Sequence, residues 1–517
     1  MKASLKIYIL FALVLFFIGL ASCRKDFDFK TSSGNLEFSK DTVFLDTIFT
    51  NIGSSTYTLK VYNRENKDVV IPFIGLKNGQ QSKYRLNVDG LAGKEFNDVP
   101  ILAKDSMFIF IETTFDIAET GQNEFLHTDA IQFENTGTTK TVELVTLVKD
   151  AIFLYPERLE NGFKETLLLG LDEDQNEIRI EGFFLDGGEL NFNNQKPYVI
   201  YGYAAVPEGE TLTMQAGTRV HFHKDSGILV SPNAAIEING ALSEDQMQLE
   251  NEVIFEGDRL EPEFADTPGQ WGTIWITAGS VNNQIEHLTL KNATVGILVE
   301  GDENNTASTL SINNSQLYNS TTTNLWSRTA NISAENTVFG NSGSISLYCN
   351  LGGNYNFKHC TIANYWVNGF RNAPALYIDN YITLADGSST GADLESASFA
   401  NCIIDGNRNI ELLLSSNTTN TFQFNFLNCS IQFDDINGDF AENPLFDFSD
   451  IAFFETIFLN QNTDFEDPRN NLFKIQANAE ILDLGDLNTA LNVPDDILGN
   501  LRTTLPDIGA YEFIVEQ

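Results

Sequence analysis

The chain has 517 residues and a formal net charge of −40 at pH 7, because 71 aspartates and glutamates face 31 lysines and arginines. Nucleic-acid phosphates bind clustered lysine and arginine, and the absence of any basic run argues against a nucleic-acid partner. A chain of this length cannot form one hydrophobic core and is expected to fold into at least two units. No long amphipathic helix pattern follows residue 22, which predicts a nearly all-β protein.

Residues 1–22 form a predicted export signal. Lys2 and Lys6 precede an apolar run that is shorter than the roughly 20 residues of a membrane span, and small residues precede Cys23. Residues 20–23 (Leu-Ala-Ser-Cys) resemble the lipobox of bacterial lipoproteins, which implies that Cys23 is lipidated. An ordinary cleaved signal with an incidental cysteine is the alternative.

The charged tract at residues 24–28 contains two acids. It resembles the acidic export signals that send lipoproteins of some Gram-negative bacteria to the outer face of the outer membrane. Each buried acyl methylene contributes about 0.8 kcal/mol, so two or three chains anchor a protein stably. We therefore expect a lipidated tether over residues 23–35, a lipid anchor in the outer membrane, and a body that faces the cell exterior.

Seven short alternating segments predict a β-sandwich over residues 36–150. They are Thr42–Phe49, Tyr57–Tyr62, Val69–Ile74, Tyr84–Val88, Met107–Thr114, Ala130–Phe133 and Thr141–Val148. The patterning of residues 56–63, 69–71 and 102–109 resembles immunoglobulin-like domains of the abnormal-spindle and hydin type, which implies a spacer or adhesive module. The range has no cysteine pair, so it differs from the disulfide-bonded antibody type.

Residues 151–197 are expected to form a connection or N-terminal cap. From residue 198 to 448, short apolar strands alternate with glycine and asparagine, and six segments recur at spacings of 27, 22, 23, 42 and 27 residues. The copies are His287–Asn292, Asn314–Asn319, Asn336–Asn341, His359–Asn364, Asn401–Gly406 and Asn428–Ile431. A period in the twenties with short strands in each turn predicts a parallel β-helix.

The second residue of each copy is expected to point inward and to stack on its equivalents in neighbouring coils. This ladder consists of Leu288, Ser315, Thr337, Cys360, Cys402 and Cys429. A buried free cysteine behaves as a small hydrophobe, so the ladder explains these cysteines as packing residues. A disulfide from Cys402 to Cys360 or to Cys429 is the alternative if those coils are adjacent.

Residues 449–517 are expected to cap the β-helix. Residues 442–446, residues 507–513 and the Trp-Gly segment 270–276 resemble secreted bacterial proteins of the pectate-lyase-like superfold. The resemblance implies a right-handed, single-stranded parallel β-helix, on which members perform diverse functions. The predicted fold class is therefore all-β, with an N-terminal β-sandwich followed by this β-helix.

Enzymes of that superfold that cleave pectin-like polymers use clustered aspartates, or calcium together with a basic residue. Neither set is visible, and the remaining candidates for lyase chemistry are Lys358, Arg371 and Arg408 near Asp379 and Asp405. We expect no catalytic residue and no cofactor.

Metal binding has two candidate sites in the sequence. His221, His223 and Asp225 could form a transition-metal trio, although alternation with inward neighbours favours histidines that simply face outward. Asp172 and Asp174 are candidate Ca²⁺ ligands, without a complete calcium-loop spacing. No metal centre is therefore predicted, with Ca²⁺ as the alternative.

The candidate ligand-binding residues are aromatic: Trp271, Trp275, Trp326, Trp366 and Tyr365, with Tyr348 nearby. They form a sugar-stacking surface if they face outward, and packing between coils is the alternative. The leading hypothesis is a non-enzymatic cell-envelope lipoprotein whose β-helix binds a glycan, matrix or protein. A polysaccharide-active lyase or hydrolase is the alternative, and a structural envelope protein without a ligand is the third hypothesis.

Overall fold

The computed structural model describes residues 29–33, 35–116, 124–160, 162–172, 174–302, 307–384, 386–502 and 504–515. The signal segment and Cys23 lie outside these residues. The chain divides into two compact units, residues 1–149 and 150–517, which we call the N-terminal and C-terminal units. Strands make up nearly all of the regular structure, so the all-β prediction is confirmed. No helix in the described ranges is long and apolar enough to cross a membrane.

The N-terminal unit consists of two β-sheets around one core. The larger sheet contains Lys30–Thr31, Thr42–Phe44, Ile48–Phe49, Val69–Leu76, Glu95–Ile101, Glu124–Asn135 and Thr138–Lys149. The smaller sheet contains Leu36–Phe38, Tyr57–Asn63, Tyr84–Val88, Leu91–Gly93 and Ser106–Thr113, and a 3-10 turn lies at Gly79–Gln81. Alternate residues of each strand point inward, so Val61 and Ile109 of the smaller sheet share a core with Ile131 and Phe133 of the larger.

The C-terminal unit is a parallel β-helix with three faces, because successive turns of the chain add one strand to each face until face 2 ends one turn before the other two. Face 1 contains Ile152–Leu154, Tyr198–Ile200, Arg219–Phe222, Val253–Gly257, Leu288–Lys291, Gln316–Tyr318, Val338–Phe339, Thr361–Asn364, Ile403–Gly406, Ser430–Ile431 and Phe458–Leu459. The first of these strands falls within the range expected to be a connection or cap, and the last within the range expected to be the C-terminal cap.

Faces 2 and 3 share the long strands Thr323–Glu335 and Ile345–Lys358, which run across the edge between them. The other strands of face 2 are Glu177–Phe184, Tyr203–Val206, Gly227–Val230, Ile274–Ile276, Val295–Glu300, Leu376–Asp379 and Leu412–Ser415. Those of face 3 are Asn191–Phe192, Thr211–Met214, Ala235–Asn239, Asn283–Glu286, Leu310–Asn313, Leu394–Ala400, Asn425–Leu427 and Phe454–Glu455. The prediction of a parallel β-helix is confirmed.

Smaller elements decorate the β-helix. Thr166–Leu171 pairs with Glu177–Phe184 in a hairpin that lies over the start of face 2, and Tyr381–Thr383 pairs with Ser389–Gly391. A third hairpin joins Phe465–Asp467 and Leu472–Ile475. The remaining elements are the 3-10 turns Pro262–Phe264, Pro444–Phe446 and Pro468–Asn470 and the α-helix Leu487–Asn492.

The six residues of the predicted inward ladder are all fully buried. The residue before each of them adopts a positive φ and turns the chain into face 1; these residues are His287, Asn314, Asn336, His359, Asn401 and Asn428. Asparagine tolerates this left-handed conformation better than most residues, which explains the repeated Asn at this corner. The cysteines of the ladder are free thiols, and the Sγ of Cys360 lies 3.4 Å from the carbonyl oxygen of Lys358. The alternative disulfides are not formed.

We predict that Cys360, Cys402 and Cys429 resist thiol reagents in the native protein and react only after unfolding. None has exposed surface, and burial raises the pKa of Cys360 and Cys402 well above its usual range, which disfavours the reactive thiolate. Titration with a chromogenic disulfide, before and after denaturation in guanidinium chloride, measures this difference. Rapid labelling of any of the three in the folded protein would contradict the buried ladder.

A cluster of phenylalanines covers the last coils of the β-helix. Phe433 stacks on Phe446 with 5.2 Å between ring centroids, and Phe448 contacts Phe454 at 4.7 Å. These side chains belong to the same core as the interior columns. The segment around Pro444–Phe446 therefore closes the hydrophobic interior from water.

The chain after residue 460 packs along the outer surface of face 1. Ile508 and Tyr511 share a core with Val338 and Ile403, which point outward from that face. Gly509 has a φ of +97°, and a Cβ there would lie 2.4 Å from Ile403, so the close approach requires glycine. The chain covers this part of face 1 because its outward residues are apolar.

A buried ion pair holds this C-terminal segment in place. Arg502 Nη1 lies 2.5 Å from Glu512 Oε1, and Arg502 Nη2 donates to Asn336 Oδ1 at 2.9 Å. The corner asparagines add contacts, since the Nδ2 groups of Asn401 and Asn428 donate to backbone carbonyls of the segment. The corner asparagines therefore bind the C-terminal segment by hydrogen bonds, in addition to turning the chain at each coil.

We predict that Glu512→Gln removes part of the pH dependence of unfolding. Burial raises the pKa of Glu512 to about 7 from an ordinary 4.5, so the folded state keeps a proton that the unfolded state releases. The resulting stabilisation is complete below about pH 4.5 and is lost as the pH rises through about 7. The free energy of unfolding of the wild type, relative to the variant, should fall by about 2 kcal/mol between pH 5 and pH 8.

Urea unfolding at each pH measures this effect. Glu455→Gln is the control, because Glu455 is exposed on the last strand of face 3 and outside the C-terminal segment. It should keep the wild-type profile. Parallel profiles for wild type and Glu512→Gln would contradict the effect of burial on Glu512.

Candidate functional site

The outer surface of face 2 carries one continuous row of large apolar side chains, which we call the face-2 row. It consists of Trp275, Leu298, Trp326, Tyr348, Tyr377 and Leu413, each paired in register with the next. All six are half-buried. Their inward neighbours fill the core, so the alternation of each strand places the row outside.

Three neighbouring rings of this row, those of Trp326, Tyr348 and Tyr377, stack on one another. The centroids of Trp326 and Tyr348 lie 5.9 Å apart with an angle of 18° between the ring planes, and those of Tyr348 and Tyr377 lie 5.0 Å apart at 6°. Strands about 4.8 Å apart leave no room for rings to lie flat side by side. The row therefore offers ring edges and hydroxyl groups to a ligand, and not the flat sugar-stacking surface predicted from the sequence.

A polar row runs beside the face-2 row, two residues further along each strand. It consists of Glu300, Arg328, Asn350, Asp379 and Ser415. Arg328 Nη1 lies 3.2 Å from Glu300 Oε1, and the indole nitrogen of Trp275 donates to Glu300 Oε2 at 3.0 Å. The side chain of Arg328 is 36% exposed, so the polar row can donate hydrogen bonds outward, whereas the hydroxyl of Ser415 contacts that of Tyr381 at 3.0 Å.

Asp379 holds the centre of the polar row. Its carboxylate accepts hydrogen bonds from Tyr348 Oη at 2.7 Å, Asn350 Nδ2 at 2.7 Å and the backbone N–H of Leu351 at 2.8 Å. Burial raises the pKa values of Asp379 and Tyr348. Because both carboxylate oxygens are occupied and only 2% of Asp379 is exposed, this residue orients Tyr348 and does not contact a ligand.

An apolar groove of about 700 Å³ lies at the N-terminal end of the face-2 row. Its walls include Leu168 and Phe184 of the hairpin, Leu229 of face 2 and Trp275. Leu168 and Phe184 are exposed by 54% and 55%, so the groove presents apolar surface to solvent. The groove and the face-2 row meet at Trp275 and together form one elongated candidate binding surface.

The five aromatic residues predicted to form a ligand-binding surface do not lie on one surface of the structure. Trp275 and Trp326 lie in the face-2 row. Trp271 does not, because it is 1% exposed, stacks on Phe222 at 4.3 Å and donates its indole N–H to the carbonyl of Lys291. Trp271 is therefore a core residue.

Trp366 and Tyr365 are also unavailable to a ligand on face 2. Trp366 is only 8% exposed. Tyr365 packs under the C-terminal segment outside face 1, where its hydroxyl donates to Asp405 Oδ2 at 2.8 Å. Both predictions are corrected, since Trp366 is buried and Tyr365 is packed against the C-terminal segment.

The sequence prediction missed Tyr377 and every residue of the polar row except Asp379, which it considered only as an acid for lyase chemistry. The signal was present, because five successive face-2 strands carry a large apolar residue followed two positions later by a polar one. Aligning the repeat on face 2 as well as on face 1 would have found it.

The basic residues considered for lyase chemistry are all engaged in contacts within the protein. Lys358 pairs with Glu335 at 2.9 Å, Arg371 pairs with buried Glu411 at 2.6 Å, and Arg408 donates to the carbonyl of Arg371. The two acids considered with them lie on different faces. These groups do not converge on a common substrate position.

A further ionisable cluster lies on the outer side of face 1, around Glu256. Glu256 lies 3.0 Å from Lys291 and 3.6 Å from His221. Nearby, Glu252 is 5% exposed and accepts a hydrogen bond from Thr289, and burial raises its pKa. Because the carboxyl of Glu252 is covered, a polymer cannot reach this pair of acids together.

The candidate metal ligands are not gathered into a site. Within the described ranges, no group of three His, Cys, Asp or Glu residues is placed to hold a metal ion. His223 contacts Asp258 at 2.7 Å, and the carboxylate of Asp172 accepts hydrogen bonds from Asp174 and Asn176 in its own turn. The side chains of His223 and Asp172 are therefore held by contacts with neighbouring residues.

The fold and this surface define an all-β protein with a large parallel β-helix. No protein-family model matches the chain, and no curated protein matches its sequence significantly. Solved structures similar to it include a family 123 glycoside hydrolase from Clostridium perfringens, with 7% identity, a TM-score of 0.16, and coverage of 23% of this chain and 30% of that one.

Two further similar structures are a second glycoside hydrolase and a pilin. The catalytic domain of a GH87 α-1,3-glucanase is 10% identical with a TM-score of 0.18, and the match covers 72% of this chain and 81% of that one. BcpA, the major pilin subunit of Bacillus cereus, is 13% identical with a TM-score of 0.15, over 28% and 52% of the two chains. The chain thus spans about a third of the C. perfringens hydrolase and half of the pilin, and such low TM-scores support no conclusion about activity.

Proposed function

We propose that the protein is a non-enzymatic, lipid-anchored envelope protein that binds a glycan along face 2. In this proposal Cys23 carries the lipid in the outer membrane, and the sandwich, of immunoglobulin-like type, acts as a spacer. The β-helix then presents its binding surface to the cell exterior. The observation that carries the proposal is the face-2 row with the polar row beside it, repeated on successive strands.

A glycan fits this surface chemically. Ring edges carry partial positive charge and favour sugar oxygens, while the polar row supplies an arginine and hydroxyl donors. The apolar groove at Trp275 accommodates the carbon faces of a sugar or a substituent. Because both rows continue over successive coils, a polymer lying parallel to the helix axis would follow a large apolar side chain with a polar one beside it on each of five strands.

Catalysis is not part of the proposed function, because the carboxylates of the polar row already accept hydrogen bonds within the protein. Asp379 is the carboxylate at the centre of the polar row, and its oxygens already accept three hydrogen bonds. Glu300 is engaged by Arg328 and by the indole of Trp275. An acid–base pair needs at least one carboxyl that can exchange a proton with substrate, so these contacts favour binding over hydrolysis.

Affinity electrophoresis in gels containing polygalacturonate, xylan or dextran tests the binding. Arg328→Met keeps most of the side-chain volume and is expected to weaken retention at least tenfold, which corresponds to about 1.4 kcal/mol. Tyr377→Ala should have a similar effect. The control is Met247→Ala, at a side chain that is 95% exposed and far along the chain from both rows. Equal retention of all variants would contradict the assignment to face 2.

The same polysaccharides test the absence of catalysis. Release of reducing ends or unsaturated uronides by the wild-type protein would overturn the non-enzymatic proposal in favour of a carbohydrate-active lyase or hydrolase. Binding without product supports it, and neither binding nor product from a broad panel would favour the structural hypothesis.

The lipid anchor and its location need separate experiments. Metabolic labelling with palmitate should mark the wild-type protein and not Cys23→Ser. Protease treatment of intact cells should then degrade the body of the protein, and full protection would contradict exposure at the cell surface.

A further inference from the structure

The N-terminal unit has an exposed apolar patch where the described chain begins. Phe29, Leu102, Phe108 and Phe110 are 37%, 41%, 48% and 42% exposed, and they line one groove of about 480 Å³. Phe108 and Phe110 stack with 6.4 Å between centroids on the outer face of the smaller sheet. Exposed apolar side chains that lie together in this way often mark an interaction site on a soluble protein.

Cationic side chains border this patch. Lys60 Nζ lies 4.9 Å from the ring centre of Phe108 and 5.3 Å from that of Tyr62. Arg64 lies 4.2 Å from the ring centre of Tyr62, and Lys104 donates to the carbonyl of Arg64.

The border also contains acids, since Asp89 and Asp105 line the groove. Arg64 itself pairs with Glu37. The patch is therefore close to neutral in a chain whose formal charge is −40. Aromatic side chains flanked by lysine and arginine are the combination that prefers the interface between a membrane and water.

The position of the patch in the chain identifies its partner. Only six peptide steps separate Cys23 from Phe29, and a fully extended chain of that length spans about 20 Å. We propose that this patch lies against the lipid surface of the membrane that holds the anchor, so that the N-terminal unit rests on the bilayer. This inference depends on the proposed lipidation of Cys23.

Two contributions make the contact effective. Phe108 and Phe110 insert their rings among the lipid headgroups, and Lys60 and Lys104 contact lipid phosphates. Each contribution is weak alone, but a tethered unit is held near the surface at high effective concentration, so weak contacts suffice. The patch thereby fixes how the N-terminal unit is oriented on the membrane.

A fluorescent label on the patch tests this proposal. The lipidated full-length protein carrying Phe108→Cys, labelled with a nitrobenzoxadiazole fluorophore, is reconstituted into phosphatidylethanolamine and phosphatidylglycerol vesicles. The native thiols that the structure describes are buried, so the label attaches at the new cysteine. We expect a blue-shifted, several-fold brighter emission, which nitroxide-labelled lipid headgroups quench. Phe110→Cys provides a second labelled position.

The matched control is Phe44→Cys. Phe44 is 65% exposed and belongs to the strand at the far edge of the larger sheet from Lys30–Thr31. Its label should remain in water with unshifted emission. Equal emission from positions 108 and 44 in vesicles would overturn the proposal.

Two other outcomes are distinguishable. If the wild type fails to float with vesicles, the anchor is refuted and this inference falls with it. If the protein floats but the label at position 108 behaves as in water, only the inference is refuted. A blue shift at position 108 in Cys23→Ser without vesicles would mean that the tether covers the patch, and this also overturns the proposal.

Discussion

Replacing Phe399 with alanine is expected to lower the free energy of unfolding of the β-helix by about 3 to 5 kcal/mol, the range for truncating a buried phenylalanine. Its ring has no exposed surface and stacks between Phe357, at 5.0 Å, and Phe426, at 4.9 Å. Each coil is stabilised mainly by its two neighbours, so a cavity in this column weakens both contacts. All four tryptophans lie in the C-terminal unit, and their fluorescence in urea therefore reports this unfolding.

The control is Phe370→Ala, because Phe370 is 89% exposed in a loop of the same unit. Its effect should stay within about 0.5 kcal/mol of zero. Phe399→Leu should lie between the two variants, since it refills part of the cavity. If Phe399→Ala unfolds at the wild-type urea concentration, the stacked interior column is contradicted.

The interior of the β-helix was predictable because it repeats. Stacked coils force equivalent residues into one column, so the spacing of His359–Asn364 and its copies identified the fold and the burial of Cys360. The left-handed corner could also be inferred, since few residues other than asparagine and glycine adopt it readily. These features depend on periodicity, which a single sequence displays directly.

The outer surface was less predictable, because what covers it comes from distant parts of the chain. Val338 and Ile403 point outward, yet Ile508 and Tyr511 bury them from more than a hundred residues away. The sequence did contain a sign of this, since face-1 strands with consecutive apolar residues are buried on both sides. It did not show which segment would cover them.

The candidate site was predicted in part, and its errors have a local cause. Trp271 and Trp275 are an even number of residues apart, so both would point to the same, outer side of one continuous strand. The strand starts only at Ile274, and Trp271 lies before it in an isolated bridge to Ala293, with its indole in the core. Short strands joined by sharp corners break the alternation on which such predictions depend.

Removing Arg371 is expected to destabilise the β-helix by about 3 to 5 kcal/mol, because it leaves the carboxylate of Glu411 buried without its cation. The side chains of Arg371 and Glu411 are 2% and 0% exposed, and both guanidinium Nη atoms contact the carboxylate. Burial already raises the pKa of Glu411 to about 7. In Arg371→Met that pKa should rise further, so the variant loses more stability at pH 8 than at pH 6.

Urea unfolding of a double-mutant cycle measures this coupling. Glu411→Met and Arg371→Met should each be costly, whereas Arg371→Met/Glu411→Met should cost clearly less than their sum, since it leaves no unpaired buried charge. The exposed pair of Arg179 and Glu177 is the comparison, and Arg179→Met should cost less than about 1 kcal/mol. Strict additivity within the Arg371 cycle would mean that the two side chains stabilise the fold independently, through their separate backbone contacts with Ala373 and Ala375.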